Sequence, residues 1–332
     1  MRAPRVRLSD VAQLAKTSTK TASRVVNGDP RVSQATRERV QQAVIELDYQ
    51  PDPLARSLRS GTDDTIGVVV DEVSDPFFAS VIGEIERMAL DRDITVIVAS
   101  TRRLAERERT VLDGLAHRRI AGLILSSVTE DHASLRSARY PIVFIDREAT
   151  GLTADAVLVD DRAGARMAVE HLLSHGHRRI AYVGDRLGLA TVRNRLAGYR
   201  DALAAAGVTA PDEYVVHMEL DGQDGDHDAV GQLLALDPQP TAIFCANTRS
   251  SLRALPVMHR TDNTHIAFVS FGDFAMADTL APAVSVVNHS PRLIGQLAAE
   301  RLFRRLGGED LAPERIFAPL EIVARGSGEL TP

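Results

Sequence analysis

From residue 65 onward the chain repeats one pattern, a short run rich in Val and Ile followed by an amphipathic stretch. The pattern predicts strands at 66–70, 94–99, 123–125, 142–145, 180–183, 242–244 and 266–271. Between them it predicts helices at 77–92, 104–117, 162–175, 191–206, 229–236 and 291–306. Uninterrupted apolar strands separated by helices belong to parallel sheets covered on both faces. The stretch 65–332 has room for two such doubly wound units. Ligands of such folds bind beyond the carboxyl ends of the strands.

The first 64 residues have a different texture. Val11, Ala12, Leu14 and Ala15 make one short apolar face, and Ala22, Val25 and Val26 make a second after the polar break 16–19. Asn27-Gly28-Asp29-Pro30 is a stop signal. A third helix is expected from Ser33, as N-cap, through Val40, Ala43, Val44 and Leu47. Three small helices with a basic second one are the pattern of a helix-turn-helix. Next, Asp52-Pro53 starts a helix of about two turns that Gly61 ends. A helix that short is marginal in water unless something docks against it.

Charge follows the same division. Residues 1–61 carry 11 Lys and Arg against 6 Asp and Glu, a balance of +5, whereas the whole chain carries −6. A cationic head on an acidic body points the head alone at a polyanion. Both lysines of the chain, Lys16 and Lys20, lie in the head. A single cysteine, Cys245, excludes a disulfide framework and a four-cysteine zinc site. The basic start lacks the apolar segment of a secretory signal, and no apolar run is long enough to span a membrane. A cytoplasmic location is expected.

Enzyme signatures are missing: no G-x-S-x-G elbow, no phosphate-binding P-loop and no G-x-G-x-x-G after the first strand. The acidic run 221–228 resembles a calcium loop, but Ala229 and Ala235 stand where the glycine and terminal acid are needed. His171, His175 and His177 cluster near a helix end without the H-E-x-x-H order. No metal or cofactor is expected, and Cys245 reads as a small core residue.

Particular residues carry a resemblance. Asp10-Val11-Ala12, Ser18, Thr21, Ser23-Arg24-Val25, Asn27-Gly28, Tyr49-x-Pro51 and Ala55-Arg56-Ser57-Leu58 resemble the LacI/GalR family of bacterial transcription regulators. The likeness continues through Asp75-Pro76-Phe77-Phe78, Ile145-Asp146-Arg147, Arg195-Leu196-Ala197-Gly198-Tyr199 and Glu321-Ile322-Val323-x-Arg325. The resemblance implies an all-α helix-turn-helix headpiece (1–51), a hinge helix and linker (52–64) and an effector-binding and dimerisation domain (65–332). That domain would be an α/β body like periplasmic binding proteins. Its first subdomain would span about 65–161 plus 291–319, and its second about 162–290 plus 320–332. The expected activity is sequence-specific repression, as a homodimer on a pseudo-palindromic operator, controlled by a small-molecule effector such as a sugar. A cytoplasmic small-molecule-binding module without DNA function is the alternative.

In the head, Thr19 and Lys20 stand at a helix start and Arg24 one turn on, where side chains reach base edges of the major groove. Ser18, Thr21, Ser23 and Asn27 are short polar groups suited to phosphate contacts. The resemblance makes Leu58 a minor-groove wedge, with Ala55 and Arg59 beside it. It places Ser74, Asp75, Phe77, Phe78, Asp146, Thr191, Arg195, Leu220, Asn247 and Asp273 around an effector cleft. There the chain departs from the family pattern: Thr248 follows Asn247, Gly272 replaces the first Asp of Gly-Phe-Asp-Asp, and Leu220 replaces an aromatic. In the head, Lys16-Thr17 stands where Gly-Val is usual.

Overall fold

The computed structural model describes residues 6, 8–26, 29, 31–47, 49, 64–129, 131–185, 188–218 and 225–332. It divides into two units, Met1–Asp63 and Asp64–Pro332. The first contains α1 (Leu8–Leu14), α2 (Thr19–Val26) and α3 (Gln34–Glu46). They close on a small core of Val11, Ala12, Ala22, Val25, Val40 and Ala43. Between α1 and α2, Lys16 has φ 50°. This left-handed backbone suits glycine and disfavours a side chain. Ser33 precedes α3 as expected, but its hydroxyl pairs with Thr36 Oγ1 at 3.0 Å rather than capping a backbone N–H.

In the second unit, β1 (Thr65–Val70), β2 (Thr95–Ser100), β3 (Gly122–Leu125), β4 (Ile142–Ile145) and β5 (Asp155–Leu158) belong to one sheet. Its order is completed by β11 (Arg315–Phe317), giving β11-β5-β4-β3-β1-β2, parallel throughout. The second sheet has β6 (Ile180–Asp185), β7 (Val215–Met218), β8 (Ala242–Cys245), β9 (Ala267–Phe271), β10 (Ser285–Asn288) and β12 (Glu321–Val323). Its order is β12-β10-β9-β8-β6-β7, and only the β10–β12 pair is antiparallel. The fold is thus an all-α head plus an α/β body of two doubly wound lobes. The chain crosses between lobes three times, after β5, after β10 and after β11.

Helices complete each lobe. The first carries α4 (Pro76–Leu90), α5 (Ala105–His117) and α10 (Pro291–Leu306); the second carries α6 (Asp161–Ser174), α7 (Ala190–Ala205), α8 (Gly225–Leu234) and α9 (Thr248–Arg260). Strand side chains alternate between layers. Ile66, Val68 and Val70 join a core with α4, α10, α6 and α7, whereas Val69 turns to a separate cluster under α5. Burying each such Val, Ile or Leu stabilises the fold by about 1.5–3 kcal/mol. α6 and α7 meet closely at Gly198, where a Cβ would stand 2.2 Å from the Arg162 carbonyl oxygen.

Some elements escaped the sequence pattern. α9 carries Pro256 in its interior, which removes a helical hydrogen bond, yet the helix forms with Ala254 and Met258 buried. β5 opens on a buried carboxylate, Asp155, held by Arg301 Nε at 2.9 Å and by Arg305. Four residues with an acid inside give no strand signal, and the other unpredicted strands, β7, β10, β11 and β12, have only three or four residues each.

Candidate functional site

In the head, Ser18 acts as the N-cap of α2: its Oγ accepts from the Thr21 N–H at 3.1 Å and pairs with Thr21 Oγ1 at 2.9 Å. Thr19, Lys20 and Arg24 are exposed on this helix, while Thr21 and Ser23 are half-buried. Lys20 and Arg24 lie four residues apart and share a face. Arg24 Nε reaches Asp29 at only 3.8 Å, because Asp29 is engaged by Arg31 at 2.9 Å. Arg31 also holds the Asp29 carboxyl down at about 2. Lys20 has no ion-pair partner among the described residues. Asn27, Ala55, Leu58, Arg59 and Leu220 lie outside the described residues.

In the body, the carboxyl ends of both sheets face one cleft. From the first lobe, the segment after β1 places Asp75 as N-cap of α4, its carboxylate accepting from Phe77 N at 2.9 Å. Burial raises the Asp75 pKa. Phe77, Phe78 and Asp146 also line the cleft. Asp146 follows β4 with φ 65° and sits 3.0 Å from Arg147 Nη1. Ser74 is exposed in the turn before α4 and is not among the lining residues.

From the second lobe come Thr191, Arg195, Asn247 and Asp273. Arg195 is buried: its Nε donates to Asp161 at 2.7 Å, its Nη1 to the Ala246 carbonyl at 2.8 Å, and its guanidinium lies 4.0 Å above the Phe271 ring. Burial pushes the Asp161 carboxyl up to about 6 against the pull of Arg195. Asn247 caps α9 through Ser250 N at 2.7 Å and donates to Asp185 at 3.0 Å. Asp273 is held by both Arg325 terminal nitrogens, at 2.8 and 2.5 Å, which lowers its pKa.

Sequence reasoning missed the residues that tie the lobes together. Arg103, on the turn after β2, contacts Asp71 of its own lobe at 3.2 Å and Asp185 of the other at 2.7 Å. Arg249 of α9 answers from the second lobe, with Asp185 at 3.3 Å and Glu72 at 3.6 Å. Burial alone would raise the Asp185 pKa, but Arg103 and Arg249 hold it down. His289 was missed as well. It is 5% exposed, lines the cleft, and sits where the chain crosses between lobes after β10. A charged residue just past β1 (Asp71) and at the last position of β6 (Asp185) was the available signal for these two; nothing in the sequence singles out His289.

The remaining candidate groups are structural. Cys245 is buried and burial pushes its thiol pKa up. His177 joins Thr241 Oγ1 at 3.0 Å to the Leu330 carbonyl at 2.8 Å, and His171 pairs with Glu329, so both fasten the C-terminal segment. No group of three or more metal-binding side chains occurs among the described residues. No helix among them is long and apolar enough to cross a membrane.

A basic three-helix head joined to a two-lobed, solute-binding-like body defines a DNA-binding transcription regulator rather than an enzyme. Residues 7–52 match the model for bacterial regulatory proteins of the lacI family, and residues 169–328 match a periplasmic binding protein-like domain. The chain is 32% identical over 322 residues to the HTH-type transcriptional regulator GalR of Escherichia coli K12, covering 94% of this chain and 93% of the relative. It is 30% identical to the ribose operon repressor of the same organism, covering 96% and 99%. Among solved structures it resembles the Lac repressor dimer bound to operator and the anti-inducer ONPF. That match has TM-score 0.85 and 25% identity, with 98% and 99% covered. The transcriptional regulator CelR–cellobiose complex matches with TM-score 0.70 and 29% identity, with 97% and 100% covered. The chain belongs to the lacI family of bacterial regulatory proteins.

Proposed function

We propose that the protein is a cytoplasmic, homodimeric repressor that binds a pseudo-palindromic operator under control of a small molecule in the inter-lobe cleft. One observation carries the reading: α2 presents Thr19 and Lys20 in its first turn and Arg24 one turn on as exposed side chains, with Ser18 capping the helix. Lys and Arg there can donate to guanine O6 and N7, so the half-site contains G. Thr21, Ser23 and Asn27 hold phosphates and fix the register. Ala55, Leu58 and Arg59 enter the minor groove at the operator centre, where Leu58 wedges a base step open at a cost of a few kcal/mol. Relatives named as the HTH-type transcriptional regulator GalR and the ribose operon repressor support this reading. The operator- and ligand-bound neighbours support the DNA and effector roles.

Selection of bound duplexes from genomic DNA with the purified chain tests this. A palindromic motif should emerge, with affinity falling steeply with salt, by about 0.9 in log K per phosphate contact for each unit of log salt. Exchanging the two residues, Thr19→Lys with Lys20→Thr, should change the preferred bases. An unchanged motif removes these residues from readout, and no preference over scrambled duplex overturns the reading.

A further inference from the structure

In the turn after β2, two consecutive residues, Arg102 and Arg103, have left-handed backbone, with φ 51° and 57°. Residues with a side chain avoid this region, so its repetition in one turn marks a segment held there by its surroundings. The turn hangs from the carboxyl ends of two paired strands. Thr101 N donates to the Val70 carbonyl at 2.9 Å, and Arg102 N to the Asp71 carbonyl at 2.8 Å. Thr101 is fully buried, and its Oγ1 accepts from the Arg103 N–H at 3.2 Å. Strained but firmly anchored backbone thus aims one side chain across the cleft.

That side chain occupies the gap between the lobes. It is only 13% exposed; its Nε stands 3.2 Å from Asp71 of the first lobe, and its Nη1 donates to Asp185 of the second at 2.7 Å. Two nitrogens of one planar fork meet two carboxylates in different lobes, a span that a point-like ammonium does not reproduce. Both carboxylates are buried. Their other side-chain partners come from their own lobes: Arg147 for Asp71, and Arg249 and Asn247 for Asp185. Arg103 is therefore the group that joins the two.

The cavity that remains beside it has a volume of about 50 Å³. A cavity of about 150 Å³ holds benzene. The space left here takes a few waters, and no ring until the lobes part.

We infer that the Asp71–Asp185 pair is a guanidinium site spanning both lobes, occupied by the chain's own Arg103, so that the body closes without a ligand. A solute that closes a two-lobed protein does so by touching both lobes at once, since only the closed state offers it both sets of contacts. Here a tethered side chain makes those contacts at the high effective concentration that tethering provides. A molecule that enters must first displace Arg103, and control runs through the opening of a closed body. This last consequence rests on the reading of the cleft as the effector site.

The test is chemical rescue on the full chain. Small-angle scattering of the original chain, dialysed free of small molecules, should fit the closed body. Arg103→Ala empties the site and should give a larger radius of gyration and a melting midpoint about 3 °C lower. Millimolar methylguanidinium should return both values most of the way in Arg103→Ala and leave the original chain unchanged. Methylammonium and sodium chloride at equal ionic strength should do neither. Arg103→Lys keeps the charge without the fork; it should also open the body and gain nothing from methylguanidinium. Urea unfolding transitions establish that the variants fold, and should Arg103→Ala fail to fold, an Arg103→Lys body as compact as the original overturns the inference. An open original chain, an equally compact Arg103→Ala, or destabilisation without guanidinium-specific rescue overturns it too. Duplex retention measured on the same preparations separates the readings. Selective DNA binding by a body that Arg103→Ala does not open sinks only the guanidinium site. A body that opens and is rescued, without duplex preference, sinks only the operator reading.

Discussion

The outer face of α2 and the inter-lobe cleft both gather arginine and polar side chains, but they use them in opposite ways. On α2, Lys20 and Arg24 are exposed, and the nearest carboxylate to Arg24 is 3.8 Å away and already held by Arg31. Lining the cleft, Arg103, Arg147 and Arg195 each face a carboxylate of the same chain, and behind it Arg249 and Arg325 hold Asp185 and Asp273. Exposed cations that are at most weakly paired suit a polyanion that brings its own charge. Committed ones set the shape of a pocket. The difference is why the same residue type means contact in one region and architecture in the other.

The comparison breaks most visibly at the Asp161–Arg195 pair. Asp161→Ala leaves a buried guanidinium without its carboxylate, and unfolding by urea should show a loss of about 3–5 kcal/mol. A loss as small as that of a surface change would mean that Arg195 is not committed after all.

Acid should act next. The folded His289 has its pKa lowered to about 4 by burial and Arg195, with Asp146 opposing. The unfolded chain takes up that proton near pH 6.5. Stability is therefore fully present above about pH 6.5 and falls as pH drops toward 4, by about 3 kcal/mol in all. Melting curves across this range should steepen in the original chain and lose this component in His289→Gln.

Arg24→Ala tests the other region. Duplex affinity should fall by about 1–3 kcal/mol with relaxed base preference at one position. Folding stability should stay within about 0.5 kcal/mol, as for an exposed side chain. Arg103→Gln is the mildest change, because Asp185 keeps Arg249 and Asn247. About 1–2 kcal/mol of stability should go, and small-angle scattering should show a more open body.

Much of this was legible in the residues, for physical reasons that can be named. Long Val/Ile runs such as 66–70 and 180–183 gave strands, because burial on both faces demands apolar side chains throughout. Ser33 marked the start of α3, although its side chain makes no cap bond, whereas the capping role of Ser18 on α2 was read only as a phosphate contact. The helix 248–260 was hidden by Pro256, whose local cost is outweighed by the burial of Ala254, Leu255 and Met258. The cleft was half legible. Residues sharing a segment with a family motif were named, whereas Arg103 and Asp185 meet across 82 positions of sequence, so a charge at a strand end could flag Asp185 but nothing local announces the pairing. Asp273 lines the cleft as expected from the family motif, but its pairing with Arg325, a partner 52 residues away, carried no local mark.

The last strands of the two sheets lie side by side in sequence. β11 ends at Phe317 and β12 begins at Glu321, yet they edge different lobes. During synthesis the first sheet cannot be completed before residue 317 has been made, nor the second before residue 323. A chain cut short before residue 315 would leave two open sheet edges, which are templates for aggregation. The two halves of the body thus gain their final borders within a few residues of each other, once the ribosome has released the chain through β12.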